Sequence, residues 1–303
     1  MVHYEIEKKR SDMSNLQSQV CLLGTKGGPA IRTGSTNPTS NLLRIGGQQI
    51  VVDCGLGVTR GLVDQGMQLR DLSMIFITHL HSDHYLELGP LIHTAWTAGL
   101  KTNVELYGPT GLDRYWAQFI ESMRDDIELR TADEGRPDLA SLVTIHTLDA
   151  GEVLHNETMN VTAMRNIHPP LIDTFALSFK TDDAHVVFSG DTAYLPALAE
   201  FANGADLLIH EAMLEEALPA LFARIGNTDD RLYKHWLRSH TFAHDAGKIA
   251  STANVKALAI NHLIPSDDPD YGDEHWHAAV QPTWKGKLYV STDGMTIDID
   301  RLS

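Results

Sequence analysis

Met74-Ile75-Phe76-Ile77-Thr78-His79-Leu80-His81-Ser82-Asp83-His84 is the stretch that decides how this chain reads. A short apolar, β-prone run ends in HxHxDH, and a helix-like segment, HYLELGPLIHTAWTAG, follows it. In a loop leaving a strand end, three imidazoles and a carboxylate at this spacing can face one small volume, the donor set that borderline divalent cations prefer. One such hexapeptide is weak evidence in a chain with 16 histidines. Three further residues strengthen it: His168 follows VTAMRNI, Asp191 follows HVVFSG and His262 follows VKALAIN, each behind another strand-like run. Ligands gather at the carboxyl ends of strands in α/β architectures, so four runs ending in a metal-binding residue are expected to converge on one edge.

The surrounding sequence agrees with a mixed α/β protein. Strand-like runs (SQVCLLG, NVELYG, SLVTIHTL, TFALSFKTDDAHVVFSGD, GKLYVSTDGMTIDI) alternate with helix-like ones (GLDRYWAQFIESMRD, AHDAGKIASTAN), and IGGQQ and KTDDAH read as hairpin turns. No low-complexity linker divides the 303 residues, so one compact domain over 1–303 is expected, with strand-rich halves meeting near residue 150. Segment 213–239 reads as a helical, aromatic-rich insertion within it. Cys21 and Cys54 lie in apolar runs and read as buried thiols of a reducing, cytoplasmic compartment. The first residues, MVHYEIEKKRSDMSN, carry no apolar stretch behind their charges, and no run approaches the ~18 apolar residues of a membrane span. A balance of 24 Lys and Arg against 40 Asp and Glu, net −16, repels phosphate backbones and argues against a nucleic-acid partner.

With HxHxDH, a distant His, a bridging Asp and a final His spread over nearly the whole chain, the sequence resembles the metallo-β-lactamase-fold hydrolases. The resemblance implies an αββα sandwich of two mixed β-sheets flanked by helices. It also implies two divalent ions, one held by His79, His81 and His168, the other by Asp83, His84 and His262, with Asp191 bridging. Zn²⁺ is the expected metal, and Mn²⁺ or Fe²⁺ fits the same donors. Asp53, in VVDCG, matches the family's Asp beside the site and is expected to orient a ligand histidine.

Within that superfamily, Gly190-Asp191-Thr192, His210-Glu211-Ala212 and Ser239-His240-Thr241-Phe242-Ala243 resemble the ribonuclease Z and arylsulfatase-like branch. The branch implies His240 as a proton donor, with Glu211 either orienting it or serving the structure, and His210 as a supporting or core residue. Only 22 residues separate His168 from Asp191, too few for the tRNA-clamping arm of many bacterial ribonuclease Z enzymes.

The function expected is hydrolysis of an ester-type bond of a small molecule by a hydroxide held between two metal ions, with Asp83 orienting it and His240 protonating the leaving group. Arylsulfatase-like or phosphoesterase activity is favoured. Lactonase, β-lactamase and ribonuclease Z-like phosphodiesterase activities are the alternatives, and a non-catalytic metal-binding scaffold is the alternative of another class. A homodimer is left open. Phe222, Tyr233, Trp236 and Phe242 are read either as a substrate mouth or as core, and His93, His275 and His277 are left out of the site.

Overall fold

The computed structural model describes residues 17–226 and 229–302, so the charged stretch at the start of the chain lies outside the described residues. Among those residues, fourteen strands form two seven-stranded sheets, ordered β14-β1-β2-β3-β4-β5-β6 and β13-β12-β11-β10-β9-β8-β7. The strands of the first sheet are β1 (Gln19–Gly24), β2 (Ser40–Ile45), β3 (Gln48–Cys54), β4 (Met74–Phe76), β5 (Val104–Gly108), β6 (Val143–Thr147) and β14 (Met295–Asp298). Those of the second are β7 (Gly151–His155), β8 (Asn160–Arg165), β9 (Phe175–Lys180), β10 (His185–Phe188), β11 (Leu207–Met213), β12 (Ala257–Ile264) and β13 (Lys287–Val290).

Both sheets are mixed. The β14-β1-β2-β3 side is antiparallel and β3-β4-β5-β6 parallel. The second sheet is parallel over β13-β12-β11-β10 and antiparallel from there to β7. Alternation along the strands gives each sheet an inner and an outer apolar face. Val20, Leu43, Val52 and Phe76 of one inner face meet Val161, Leu177, Val186 and Ile209 of the other in a shared core.

Helices cover the outer faces. On the first sheet these are α1 (Val58–Asp64), α2 (Ser82–Tyr85), α3 (Leu88–Thr97), α4 (Leu112–Ser122) and α5 (Arg124–Glu134), with Leu62, Ile92, Trp96 and Trp116 buried against Leu42, Val51 and Ile75. On the second they are α6 (Ala197–Phe201), α9 (Ala243–Thr252) and α10 (Asp273–Val280). Two more helices, α7 (Leu218–Ile225) and α8 (Arg231–Ser239), cluster separately around Met213, Leu221, Trp236 and Ile264. The layering is the αββα arrangement that the resemblance implied.

Three local readings change. GKLYVSTDGMTIDI supplies two strands in different sheets, β13 and β14, because the chain crosses back to pair with β1. The exposed edge strand β7 escapes the periodicity argument, since only Val153 and Leu154 of its five residues are even partly buried. His262 lies within β12 instead of beyond its end. Both cysteines are buried free thiols, and no described helix is long and apolar enough to cross a membrane.

Candidate active site

His79, His168 and Asp191 each stand three residues past the last residue of their strand, Phe76, Arg165 and Phe188. The site thus forms where β4, β8 and β10 run out, with His81 capping α2 and Asp83 and His84 inside that helix. His262 reaches the same volume by another route. Glu211 pairs with Asn261 and Ala212 with Leu263, which leaves His262 as the extra residue of a bulge, at φ 48°. A bulge re-aims one side chain while the ladder continues on either side of it.

The seven expected ligands converge in two groups, His79/His81/His168/Asp191 and Asp83/His84/Asp191/His262, and Asp191 belongs to both. Its Oδ2 lies 3.7 Å from His79 Nε2 and 3.8 Å from His168 Nε2 on one side, and 3.4 Å from His84 Nε2 and 3.0 Å from His262 Nε2 on the other. Hydrogen-bond accounting tests whether cations fit here. The Thr78 hydroxyl donates to Asp53, so His79 Nδ1–H donates to Thr78 Oγ1 at 3.1 Å. His168 Nδ1–H donates to the Ser239 carbonyl at 2.8 Å, and His84 Nδ1–H to Asp53 Oδ2 at 2.8 Å.

A neutral imidazole carries one N–H, so the Nε2 lone pairs of His79 and His168 both face inward. They meet His81 Nδ1 at 3.2 and 2.9 Å, and at most one hydrogen can lie among these three nitrogens. His84 Nε2 is buried with no hydrogen-bond partner among the described residues. The inward lone pairs of His79 and His168 fit a cation.

Charge separates the two groups. Burial holds His168 down to about 4, His79 well below its usual range and His81 below it, so the histidines of the first group are neutral near pH 7. In the second, burial opposes charge on His262 and His84 but the carboxylates overcome it: Asp191 and Asp83 raise His262 to about 10, and Asp191, Asp53 and Asp83 hold His84 well above its usual range. Burial works against the Asp83 carboxylate as well, yet His84 and His262 pull it below the usual range.

His240 and Glu211 form the next layer. Thr192 N–H donates to Glu211 Oε1 at 2.5 Å, and Glu211 Oε2 lies 2.9 Å from His240 Nδ1. Burial, with the Asp191 charge added, pushes Glu211 well above the carboxylate range, while burial holds His240 at about 4. Both shifts favour the neutral pair, in which Glu211 Oε2–H donates to Nδ1 and the imidazole keeps its own hydrogen on Nε2; His240 lines the cavity. His210 is fully buried beside it, its side chain bonds among the described residues only to the Glu211 carbonyl, and it does not line this cavity.

The cavity measures about 290 Å³ and runs from His81, Asp83, Asp191, His240 and His262 to an apolar wall of Leu221, Ile225, Leu232 and Trp236. Of the four aromatics singled out in the sequence, Trp236 alone lines it; Phe222 and Tyr233 pack edge-on in their own cluster and Phe242 stacks on His244. His235 is a functional candidate the sequence reading missed. Its Nδ1–H donates to Ser239 Oγ at 3.2 Å, and its ring lies 5.8 Å from those of both His168 and His240. The spacing HxxxSH carried that signal, since one helical turn places His235 beside Ser239.

The profile of the family described as Anti-Pycsar protein Apyc1 matches residues 18–241, about three quarters of the chain. The chain belongs to the Anti-Pycsar protein Apyc1 family. This Apyc1-family chain is also 27% identical over 284 residues to the ribonuclease Z of Mycobacterium bovis (strain BCG / Pasteur 1173P2), covering 93% of the chain and 98% of that protein. In structure it is similar to the metallo-beta-lactamase fold protein YhfI of Bacillus subtilis, with a TM-score of 0.66, 18% identity, and 93% and 99% of the two chains covered. It is similar to the short form of human tRNase Z to the same TM-score of 0.66, with 21% identity and the same coverage. The structural likenesses establish the fold. Together with the sequence relatives, they make this Apyc1-family member a metallohydrolase of the ribonuclease Z-like branch.

Proposed function

We propose that this protein hydrolyses a phosphodiester of a small molecule, using two divalent ions, Zn²⁺ by preference. The observation that carries this reading is the cavity: two ligand groups and an imidazole N–H lie at one end of a space that holds a ring-sized organic group, against an apolar wall. His79, His81 and His168 would hold one ion, Asp83, His84 and His262 the other, and Asp191 both. Bound there, the ions supply Lewis acidity and a water of lowered pKa.

The chain's own residues do the rest. Asp83 Oδ2 is fixed by the Gly28 N–H at 2.8 Å, so its position does not depend on substrate. His240 Nε2–H donates to the oxygen that leaves, and the Glu211 proton moves to Nδ1 as the Nε2 proton departs, so neither residue holds net charge in the resting state. Leu221, Leu232 and Trp236 exclude water from the organic group.

A ribonuclease reading is favoured by one observation, the relation to ribonuclease Z along almost the whole chain. Two others oppose it. The residues between His168 and Asp191 are taken up by the β9-β10 hairpin, and the net charge is −16. The deciding experiment assays metal-replete protein on bis(p-nitrophenyl) phosphate, p-nitrophenyl sulfate, a lactone, a β-lactam and a precursor tRNA. Phosphodiester turnover at least tenfold above the others is expected. Efficient precursor cleavage would replace this reading with the ribonuclease one, and a sulfate or lactone maximum would overturn it.

A further inference from the structure

Lys26 sits in the loop after β1 and is 4% exposed, a burial that lysine rarely reaches without a carboxylate partner. Its backbone is held between two segments, with its N–H on the Asn37 carbonyl at 2.9 Å and the next N–H, that of Gly27, on the Leu263 carbonyl at 3.1 Å. The stem is therefore tied to β12, the strand that carries His262. The ammonium makes one hydrogen bond, to the Gly27 carbonyl at 2.9 Å, and forms no ion pair within 4 Å among the described residues. Two of its three hydrogens have no acceptor among the described residues, yet Lys26 lines the cavity.

The nearby charges do not balance it. Asp267, buried on the same wall, has its two oxygens engaged by Arg32 at 3.4 Å and Arg224 at 3.0 Å, and Arg224 also reaches Asp268 at 3.7 Å. Both Asp267 oxygens are thus taken by arginines, and neither pairs with the Lys26 ammonium. The same cavity is lined by Leu221, Ile225, Leu232 and Trp236. A buried ammonium with free donors beside an apolar wall suits a flat ring that carries an oxygen acceptor on its rim.

We propose that Lys26 is the substrate-anchoring residue of this cavity: its ammonium takes a carbonyl or carboxylate oxygen on the planar group of the ester, remote from the scissile bond. This rests on the small-phosphodiester reading for the identity of the ester, while the anchoring itself is measured without turnover. Lys26 acts in ground-state binding and selects the organic group; Asp83 and His240 act on the phosphoryl end.

The test is calorimetric binding of phenyl phosphate, 4-carbamoylphenyl phosphate and 4-carboxyphenyl phosphate to metal-loaded wild type, Lys26→Met and Lys26→Gln. Wild type should bind at least one substituted ligand tenfold or more tightly than phenyl phosphate. Preference for both identifies any oxygen acceptor, and preference for the carboxylate alone identifies an anion. In Lys26→Met the preference should fall to within twofold, with phenyl phosphate unchanged within twofold. Lys26→Gln, which keeps a donor, should retain part of the carbamoyl preference and serves if the Met variant does not fold. No preference in wild type, or a preference that survives both substitutions, overturns the proposal. Equal loss of all three ligands also overturns it, because Lys26 would then serve the phosphoryl group. If all tested diesters resist hydrolysis while the preference is present and depends on Lys26, the function reading fails and the anchor stands.

Discussion

Asp53 Oδ2 accepts the Nδ1–H of His84 at 2.8 Å while Asp53 Oδ1 accepts the backbone N–H of Thr78 at 2.8 Å, so one carboxylate orients a ligand of the second group and the loop that carries the first. Asp53 does this from φ 63°, a conformation asparagine also tolerates. Asp53→Asn therefore removes charge and one acceptor without new backbone strain. Zn²⁺ affinity of the second group should fall by about 10–100-fold, the usual cost of losing such a support. Competition with a chromophoric chelator measures it, and unchanged affinity would remove Asp53 from this role.

Metal binding should release protons unevenly. His79 and His168 are held below their usual range and are neutral at pH 7, so an ion entering the first group displaces essentially no proton from them. His262, raised to about 10, and His84, also raised, must each give one up, about two protons for the second ion. Affinity of the second group should then fall as pH falls, by about a hundredfold per unit near neutrality. The sign reverses for the metal-free fold. Raised histidines contribute stability that is full below about pH 6.5, their ordinary value, and is lost as pH rises toward 10. Calorimetry in buffers of different ionisation enthalpy, and the Tm of metal-free protein at pH 6.5 and 9.5, check both halves.

Substitution at the neutral pair separates tautomer from proton. Glu211→Gln keeps a donor on His240 Nδ1 and thus the Nε2–H tautomer, but cannot pass a proton on. His240→Ala removes both functions. His240→Ala should slow diesters of poor leaving groups by about 10²–10⁴-fold with metal content unchanged, and Glu211→Gln should lose less. In a series of phenols of rising pKa the mutant rates should fall more steeply than wild type. Equal slopes would assign His240 to positioning.

Gly27 is a steric test of the second ligand group. A Cβ there would lie 2.4 Å from Ile264 Cγ1 and 3.0 Å from two atoms of the His262 ring. Ile264 is packed under α7 and α8, so the ring must give way. Gly27→Ala should lower the metal bound at the second group at least tenfold, read by elemental analysis after dialysis, while the first group stays filled. A variant holding two ions as tightly as wild type would show that the loop shifts instead.

Legibility in the sequence followed the chemistry. HxHxDH, His168 and Asp191 could be read because each follows its strand's last residue by a step of the same short length, and a donor residue type in that place has few structural reasons to be there. His262 was found for a partly mistaken reason, since the bulge that turns it inward depends on β11 pairing that no local pattern records. His235 and Lys26 were passed over because their significance is a matter of distance: a helix far along the chain from His168 and a loop at the other end of it from His262 supply them. The separation of β13 from β14 was equally hidden, because both strands have the same local character and differ only in partner.

The pairing of β1 with β14 sets Val20 against Ile297. A ribosome has delivered β2 to β13 before that edge can close, and β1 until then offers one row of unpaired amides and carbonyls to any extended peptide nearby. The first six strands thus wait, partly assembled, for a segment made after the last metal ligand. Nascent chains of this protein should owe their safety during synthesis to chaperones more than to their own early contacts.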